Sequence, residues 1–348
     1  MGMSTRGLFA ALIVLVLPAC ASATANIKGA GATFPAPVIK KWADAYAQET
    51  GETVAYEALG SAEGIRLVSL RDVEFAVSDI PLTSSELAAA KLLQFPIVVG
   101  GVVPIVNIPG LGAGELRLTG PTLAAMYMGE IVRWNDEAIK NLNPGISLPD
   151  LPIIAIHRAD GSGTTFLFTS YLSAVSSRWR ERYGAGSSLR WPLGRRGKGN
   201  EGVATLVRDL PGALGYVEYA YAVQYRLSFT QLQNKAGRYL SPSETSFRHA
   251  ASEAKWTRSS FFEILTDRGC PECWPITGAS YALLPQSNGN SAQGDKALRF
   301  FAWISRYGGQ AALDSRYVPV EDPVLVNRIK DAWTRGRNDV DGNSAPVR

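Results

Sequence analysis

Histidine and cysteine are scarce in this chain, and their scarcity excludes several kinds of chemistry. The 348 residues include two histidines and three cysteines. The chain also lacks the G-x-S-x-G, Walker A and H-E-x-x-H patterns, which mark serine hydrolases, P-loop nucleotidases and zinc proteases. His157 ends a predicted strand, where we expect it to pack rather than to act as a general base. We therefore expect neither a catalytic residue nor a metal site.

A strong excess of charge of one sign is also missing. The chain has 35 basic and 31 acidic residues, a formal net charge of +4, and the two signs are interspersed along it. Nucleic acid is therefore not an expected partner. A length of 348 residues, 46% of them hydrophobic, is typical of a globular protein with two cores.

An unbroken apolar run lies close to the N-terminus. Arg6 precedes the run, which spans residues 8–17, and the small residues A-S-A-T-A follow it. The run is shorter than the roughly 20 residues that span a bilayer. This order is typical of a secretory signal peptide, which we assign to residues 1–25, with cleavage after Ala23 or Ala25. The mature protein is then exported.

The cysteines fall at two places in the chain. Cys20 lies in L-P-A-C, which resembles a bacterial lipoprotein cleavage site except for the unfavourable Pro18. Lipid anchoring at Cys20 is the less favoured alternative to cleavage further along. Cys270 and Cys273 form C-P-E-C, for which we predict a small disulfide in an oxidising compartment. The alternative is a thioredoxin-like redox motif, but the usual preceding strand and following helix are not expected there.

The remainder of the chain alternates short apolar strands with amphipathic helices. This pattern is typical of an α/β protein with a mostly parallel sheet. Residues 98–107 are apolar and flanked by prolines, so we interpret them as extended chain that leaves a first domain. Strand-like apolar sequence returns over residues 274–285. We therefore predict domain I over residues 26–105 and 275–348, and domain II over residues 106–274.

The segment R-A-D-G-S-G-T-T, residues 158–165, combines an arginine, a carboxylate and hydroxyl groups. It lies where a predicted strand, residues 151–157, gives way to a helix. Ser162 and Thr164 would lie at the N-terminus of this helix, where backbone N–H groups lack intrahelical partners and favour anions. For a single serine, ordinary helix capping is the alternative.

Two other segments, G-A-G-A-T-F and L-G-S-A-E-G, also place hydroxyl groups before a predicted helix. One helix N-terminus offers an anion about 0.3–1 kcal/mol, whereas micromolar binding requires about 8 kcal/mol. Three converging N-termini, with several charge-assisted hydrogen bonds of about 1.5–3 kcal/mol each, can supply this. We therefore predict an oxyanion site at the C-terminal ends of strands. A dinucleotide fingerprint is not expected, because the sixth position of G-A-G-A-T-F is Phe34.

Long motifs of the chain resemble those of one protein family. G-A-G-A-T-F-P-A-P, F-A-V-S-D-I-P-L, R-A-D-G-S-G-T, W-P-L-G-R-R-G-K-G-N and G-A-L-G-Y-V-E-Y-A-Y are similar to the periplasmic phosphate-binding protein of the bacterial phosphate-specific ABC transporter. The resemblance implies a type II, Venus-flytrap fold, with two α/β domains of mixed sheet and flanking helices, joined by a hinge of two crossings. It also implies a periplasmic monomer without a cofactor, which closes over inorganic phosphate and delivers it to the permease subunits of the transporter.

The resemblance also assigns the site residues. Matched motif by motif, the implied phosphate ligands are Thr33, Phe34, Ser61, Asp79, Arg158, Ser162, Gly163 and Thr164. Asp160 is implied to hold Arg158 as its ion-pair partner. Asp79 is implied to accept a hydrogen bond from the protonated phosphate, whereas sulfate carries no proton to donate.

The chain departs from the family pattern at Glu63, where the family has small residues, and at the pair Cys270 and Cys273. We expect the Glu63 side chain to point away from the site, and we interpret the cysteine pair as a disulfide that stiffens the hinge. A secreted phosphatase using the same oxyanion loops is one alternative function, although no histidine or cysteine falls in those loops. A binder of sulfate or molybdate is another, but it would have no use for Asp79.

Overall fold

The computed structural model describes Gly2, residues 27–286 and residues 292–338. The predicted signal peptide, apart from Gly2, lies outside the described residues, and so does Cys20. Among the described residues, no helix is both long enough and apolar enough to cross a membrane.

Strands and helices alternate along much of the chain. The strands are β1 (Ile27–Gly31), β2 (Val54–Glu57), β3 (Phe75–Ser78), β4 (Leu92–Val106), β5 (Arg117–Leu118), β6 (Ile154–Arg158), β7 (Arg195–Gly197), β8 (Ala213–Glu218), β9 (Ser228–Phe229), β10 (Gln231–Gln233), β11 (Tyr239–Leu240), β12 (Thr277–Pro285) and β13 (Val318–Pro319). The helices are α1 (Ala36–Thr50), α2 (Ser61–Leu70), α3 (Ser84–Ala90), α4 (Gly120–Met128), α5 (Glu137–Lys140), α6 (Gly163–Val175), α7 (Ser177–Arg182), α8 (Gly199–Asp209), α9 (Tyr219–Gln224), α10 (Glu244–Ser252), α11 (Ala292–Tyr307), α12 (Gly309–Leu313) and α13 (Pro323–Asn338).

The main sheet has the strand order β2-β1-β3-β12-β4-β8-β6-β7, with β9 and β13 also paired to β4. Strands β1, β2 and β3 are parallel to one another, and so are β6, β7 and β8. The pairings of β12 with β3, of β12 with β4 and of β4 with β8 are antiparallel. The expectation of a mostly parallel sheet therefore holds for the strands at its two ends. It is wrong in the middle, where the long strands β4 and β12 are antiparallel to each other and to their other neighbours, β8 and β3.

Strand β4 connects the two ends of the sheet. Its first part, from Leu92 to Gly101, pairs with β12, and its last part, from Val102 to Val106, pairs with β8. The apolar stretch predicted to leave domain I is thus the second half of one long buried strand. The domain boundaries assigned above remain predictions.

Aromatic packing differs on the two sides of β4. Near β1 and β3, the ring of Phe75 contacts that of Phe301 of α11 edge-on, with centroids 5.1 Å apart. Near β6 and β8, Phe168 of α6 stacks on Tyr216 with centroids 4.1 Å apart. All four rings are buried. Burying large rings of this kind supplies much of the stability of a core. Here it holds α11 and α6 against the sheet, and α6 begins at the loop that follows β6.

Candidate functional site

The loops that follow β1, β2, β3 and β6 meet at the C-terminal ends of these strands. The backbone N–H of Asp79 donates to Ser61 Oγ at 3.2 Å, and that of Ala62 donates to the carbonyl of Gly161 at 3.0 Å. Open α/β sheets bind ligands at this edge. The structure brings all the predicted ligands together there in buried positions, namely Thr33, Phe34, Ser61, Asp79, Arg158, Ser162, Gly163 and Thr164.

The first loop is held by two tyrosines from distant segments. The hydroxyl of Tyr221 donates to the carbonyl of Thr33 at 2.8 Å, and that of Tyr317 donates to the carbonyl of Phe34 at 2.7 Å. Pro35 is the N-cap of α1 and provides no side-chain cap. The loop is therefore fixed through its carbonyls, and its amides lie at the uncapped start of a helix.

The second loop depends on a glycine. Gly60 has φ of 104°, and a Cβ at this position would lie 2.5 Å from Asp160 Oδ2. Any larger residue would therefore have both an unfavourable backbone conformation and a steric clash. No side chain caps α2 within the described residues. The start of α2 lies beside the loop that precedes α6, because the backbone N–H of Ala62 donates to the carbonyl of Gly161.

Glu63 of α2 lies on the helix surface. It forms two hydrogen bonds with Arg66, at 2.7 and 3.0 Å, and its side chain is 39% exposed. The expectation that it points away from the buried loops is therefore confirmed.

Ser162 is the N-cap of α6, since its Oγ accepts from the backbone N–H of Thr165 at 3.1 Å. The capping interpretation of this serine is thus correct, but it does not compete with anion binding. A hydroxyl that accepts a hydrogen bond still has its own O–H to donate.

Arg158 and Asp160 form the predicted ion pair. Arg158 Nε donates to Asp160 Oδ1 at 2.9 Å, and Nη2 contacts Oδ2. The backbone N–H of Gly199 also donates to Oδ1, at 3.0 Å. Burial acts to raise the pKa of the Asp160 carboxyl, but the hydrogen bonds and charge of Arg158 outweigh it and hold this pKa below its usual range. The guanidinium is 1% exposed and points its remaining nitrogen, Nη1, at Thr164 Oγ1, 3.2 Å away.

Asp79 presents one free carboxylate oxygen. Its Oδ1 accepts from the hydroxyl of Ser280 at 2.7 Å, while its buried Oδ2 has no hydrogen-bond partner among the described residues. Burial raises the pKa of Asp79 to about 7, although the Ser280 hydrogen bond and the charge of Arg158 both lower it. A buried acceptor without a partner is costly, so this oxygen is suited to a ligand that donates a hydrogen.

Sequence reasoning missed several residues that support these loops. They are Asn200, Glu218, Ser280, Tyr221 and Tyr317, all of them buried. Asn200 lies at the start of α8 in the motif W-P-L-G-R-R-G-K-G-N, and Glu218 lies in G-A-L-G-Y-V-E-Y-A-Y. Both motifs resemble the family, and this resemblance was the signal that could have found the two residues. Neither residue follows a predicted strand and precedes a predicted helix in the way the ligand loops do, so the local sequence does not place it at the site.

Glu218 is a fully buried carboxyl beside the first loop. Its Oε2 accepts from the backbone N–H of Ala220 at 2.8 Å and lies 2.8 Å from the hydroxyl oxygen of Tyr317, whose one hydrogen is shared with the carbonyl of Phe34. Its Oε1 has no partner among the described residues. Burial raises the pKa of Glu218 well above its usual range, and the charge of Asp79 adds to this effect. These surroundings therefore favour the neutral, protonated form of the carboxyl.

We expect Glu218→Gln to leave the free energy of unfolding at pH 7 within about 1 kcal/mol of the parent value, because burial favours the neutral carboxyl, which glutamine resembles, and glutamine keeps an acceptor. Glu218→Ala leaves the N–H of Ala220 without its acceptor, while the Tyr317 hydroxyl keeps the carbonyl of Phe34, and should cost about 1–3 kcal/mol. The pKa of Glu218 is higher in the folded than in the unfolded protein. The contribution of this carboxyl to the free energy of unfolding is therefore complete below about pH 4.3, and it is lost as the pH rises through the folded pKa. Urea unfolding of the ligand-free variants across this range measures both effects. A glutamine variant as unstable as the alanine variant would mean that the carboxyl is charged.

The remaining candidate groups of the sequence have structural surroundings. His157 stacks on Trp191 with ring centroids 4.8 Å apart, and burial lowers its pKa, so it packs as expected. Cys270 and Cys273 are joined by a disulfide shortly before β12. Within the described part of the chain, no cluster of histidine, cysteine, aspartate and glutamate is arranged to hold a metal ion.

Comparison with known proteins identifies the family. Residues 18–266 match the PBP superfamily domain. The phosphate-binding protein PstS of Xylella fastidiosa is 45% identical over 319 residues, covering 91% of this chain and 87% of that protein. Its counterpart of the same name in Haemophilus influenzae is 46% identical over 322 residues, covering 92% and 96%.

The fold is also that of a solved ABC transporter substrate-binding protein. The crystal structure of a putative phosphate ABC transporter substrate-binding protein with bound phosphate, from Clostridium perfringens, has a TM-score of 0.63 to this chain at 18% identity, covering 85% of this chain and 99% of that one. This similarity confirms the predicted α/β fold of two-domain periplasmic binding proteins. With its identity to the relatives above across nine-tenths of its length, the chain belongs to the PstS family of phosphate-binding proteins.

Proposed function

We propose that this protein binds inorganic phosphate at the loops described above and delivers it to the permease of a phosphate ABC transporter. The observation that carries the proposal is the pairing of a fixed guanidinium, Arg158, with the unpartnered carboxylate oxygen of Asp79 in one buried site. Such a site offers an anion many donors and, in Asp79 Oδ2, an acceptor. This combination matches an oxyanion that still carries a proton.

The donors of the site are the groups whose hydrogen atoms can reach a bound anion. They come from the uncapped starts of α1 and α2, the start of α6, the hydroxyls of Thr33, Ser61, Ser162 and Thr164, and the guanidinium of Arg158. Charge-assisted hydrogen bonds contribute about 1.5–3 kcal/mol each before the cost of association. Several of them together reach the roughly 8 kcal/mol of micromolar binding.

The protein is proposed to have no catalytic activity. A phosphatase would need a nucleophile beside a base, and His157, the histidine nearest to Arg158 in sequence, stacks on Trp191. A purified protein that retains phosphate stoichiometrically and does not hydrolyse a chromogenic phosphate ester would support binding alone. Sustained turnover of the ester would refute the proposal.

The cellular setting is proposed from the sequence and the family. The predicted signal peptide directs the chain to the periplasm, and the names of the relatives describe phosphate-binding proteins. We infer that the mature protein acts as a monomer, without cofactor or nucleic acid, and that lipid anchoring at Cys20 does not occur. The intact mass of the exported protein tests the cleavage position and the absence of lipid.

Gly163→Ala should weaken phosphate binding by at least about 100-fold, because close approach at this position leaves no space for a methyl group. A Cβ on Gly163 would lie 2.5 Å from Ser61 Oγ and 2.6 Å from Asp79 Oδ2. Isothermal titration calorimetry with phosphate measures the loss. Gly186→Ala is the matched control, since its Cβ would meet no atom closer than 3.6 Å. Equal affinity in the two variants would show that the loops do not close together around the ligand as proposed.

A further inference from the structure

Asn200 lies at the start of α8 and connects both sides of the site. Its Nδ2 donates to Thr33 Oγ1 at 2.8 Å and to Thr164 Oγ1 at 3.3 Å. Its backbone N–H also approaches Thr33 Oγ1, at 3.4 Å. The side chain is fully buried. It lies 167 residues from Thr33 in sequence, so the contact exists only in the folded chain.

The orientation of the Asn200 amide is fixed by strand β8. The backbone N–H of Glu218, at the end of β8, donates to Asn200 Oδ1 at 3.0 Å. The reverse orientation would place the amide NH₂ against this N–H, two donors facing each other. Asn200 therefore faces the two threonines with its donor group.

Both threonine hydroxyls are consequently saturated as acceptors. Thr33 Oγ1 accepts from the side chain and from the backbone of Asn200, and Thr164 Oγ1 accepts from Asn200 and from Arg158 Nη1. A hydroxyl has two acceptor positions and one hydrogen. The hydrogen of each hydroxyl is therefore available for another acceptor. It cannot be donated to the Asn200 NH₂ group, because that group is itself the donor.

We propose that Asn200 is a positioning residue that directs the O–H groups of Thr33 and Thr164 onto the bound anion. The inference rests on the proposed phosphate binding and deepens it. Asn200 does not itself need to touch the ligand. It removes the alternative orientations of two hydroxyls, so that both serve as donors to an oxyanion and neither can serve as an acceptor for it.

A double-mutant cycle tests this role, with phosphate affinity measured by calorimetry or, for weak variants, by ³¹P NMR. Asn200→Ala should weaken phosphate binding about 30-fold in the parent protein. In the Thr33→Val/Thr164→Val background it should change affinity by less than about threefold, because the hydroxyls through which it acts are gone. Asn141→Ala, at an exposed asparagine, is the control and should leave affinity unchanged.

Thermal unfolding of each ligand-free variant shows whether it is folded, and Asn200→Ser replaces Asn200→Ala in the same cycle if the alanine variant does not fold. Equal losses in the two backgrounds would overturn the proposal, since a purely structural asparagine acts independently of the hydroxyls. Unchanged affinity in Asn200→Ala or Asn200→Ser would overturn it as well. If the parent protein itself binds no phosphate, the proposed function fails, and this inference fails with it.

Discussion

Asp79→Asn is expected to bind sulfate at about pH 8.5, where the Asp79 carboxyl is ionised and the parent protein should reject this anion. Phosphate retains at least one proton at this pH and can donate it to the free Oδ2 of Asp79, whereas sulfate has none to donate. A carboxylate facing an unprotonated oxyanion is a buried acceptor against an acceptor, which is costly. Sites built to accept a hydrogen bond from a ligand prefer it by about 10⁴-fold or more over an analogue that lacks the hydrogen. The asparagine amide can donate instead, so we expect the preference for phosphate over sulfate to fall by at least about 100-fold.

The same carboxyl gives the selectivity a pH dependence. Because the pKa of Asp79 is raised to about 7, the carboxyl is largely neutral in mildly acidic solution, where its O–H can donate to sulfate. Rejection of sulfate should therefore strengthen as the pH rises from about 5.5 to about 8.5, and this trend should vanish in Asp79→Asn. Competition calorimetry of sulfate against phosphate at several pH values measures it. Asp44→Asn, an exposed carboxylate of α1, is the control, and a selectivity independent of pH in the parent would refute the role of Asp79.

Arg158→Met should lower phosphate affinity by about 10³-fold, equivalent to ~4 kcal/mol. The guanidinium is buried and held in one geometry by Asp160, so its charge interacts with an anion under little screening. Arg158→Lys should also lose most of the affinity, because an ammonium cannot reach Asp160 and Thr164 at once as the planar fork does. Calorimetry with phosphate gives both values.

Asp160→Asn is the informative comparison for Arg158. The substitution keeps the shape of the side chain and an acceptor for the N–H of Gly199, while Arg158 retains its charge. Its affinity should stay within about tenfold of the parent value. Thermal unfolding is needed alongside, because Arg158→Met leaves the Asp160 carboxylate without its cation and destabilises the fold. An arginine variant that remains folded and binds phosphate normally would contradict the account.

The parts of the site that can be predicted from the sequence are those that depend on residues close to one another in the chain. Each of the loops contributing Thr33, Ser61 and Ser162 follows a short strand and precedes a helix, so its position at a strand end can be read directly. Arg158 and Asp160 are also close in sequence, but their ion pair was implied by the resemblance to the family and not by the pattern. The resemblance to the family then supplied the roles that pattern alone left open, such as that of Asp79.

The parts that could not be predicted depend on long-range contacts. Ser280 reaches Asp79 across 201 residues, and Tyr317 reaches Phe34 across 283. No periodicity or spacing in the chain connects such pairs. Likewise, the apolar run of β4 has no feature that marks where pairing changes from β12 to β8, because both halves are buried equally. Tertiary structure alone shows that one strand serves both ends of the sheet.

Titration of the purified mature protein, freed of bound anion by unfolding and dialysis, with phosphate and then with sulfate, tests the central claim most directly. Calorimetry at about pH 8, where Asp79 is ionised, should give one phosphate per chain with Kd at or below about 1 μM. Sulfate at millimolar concentration should give no binding. Failure to bind phosphate, or comparable binding of both anions, would contradict the account.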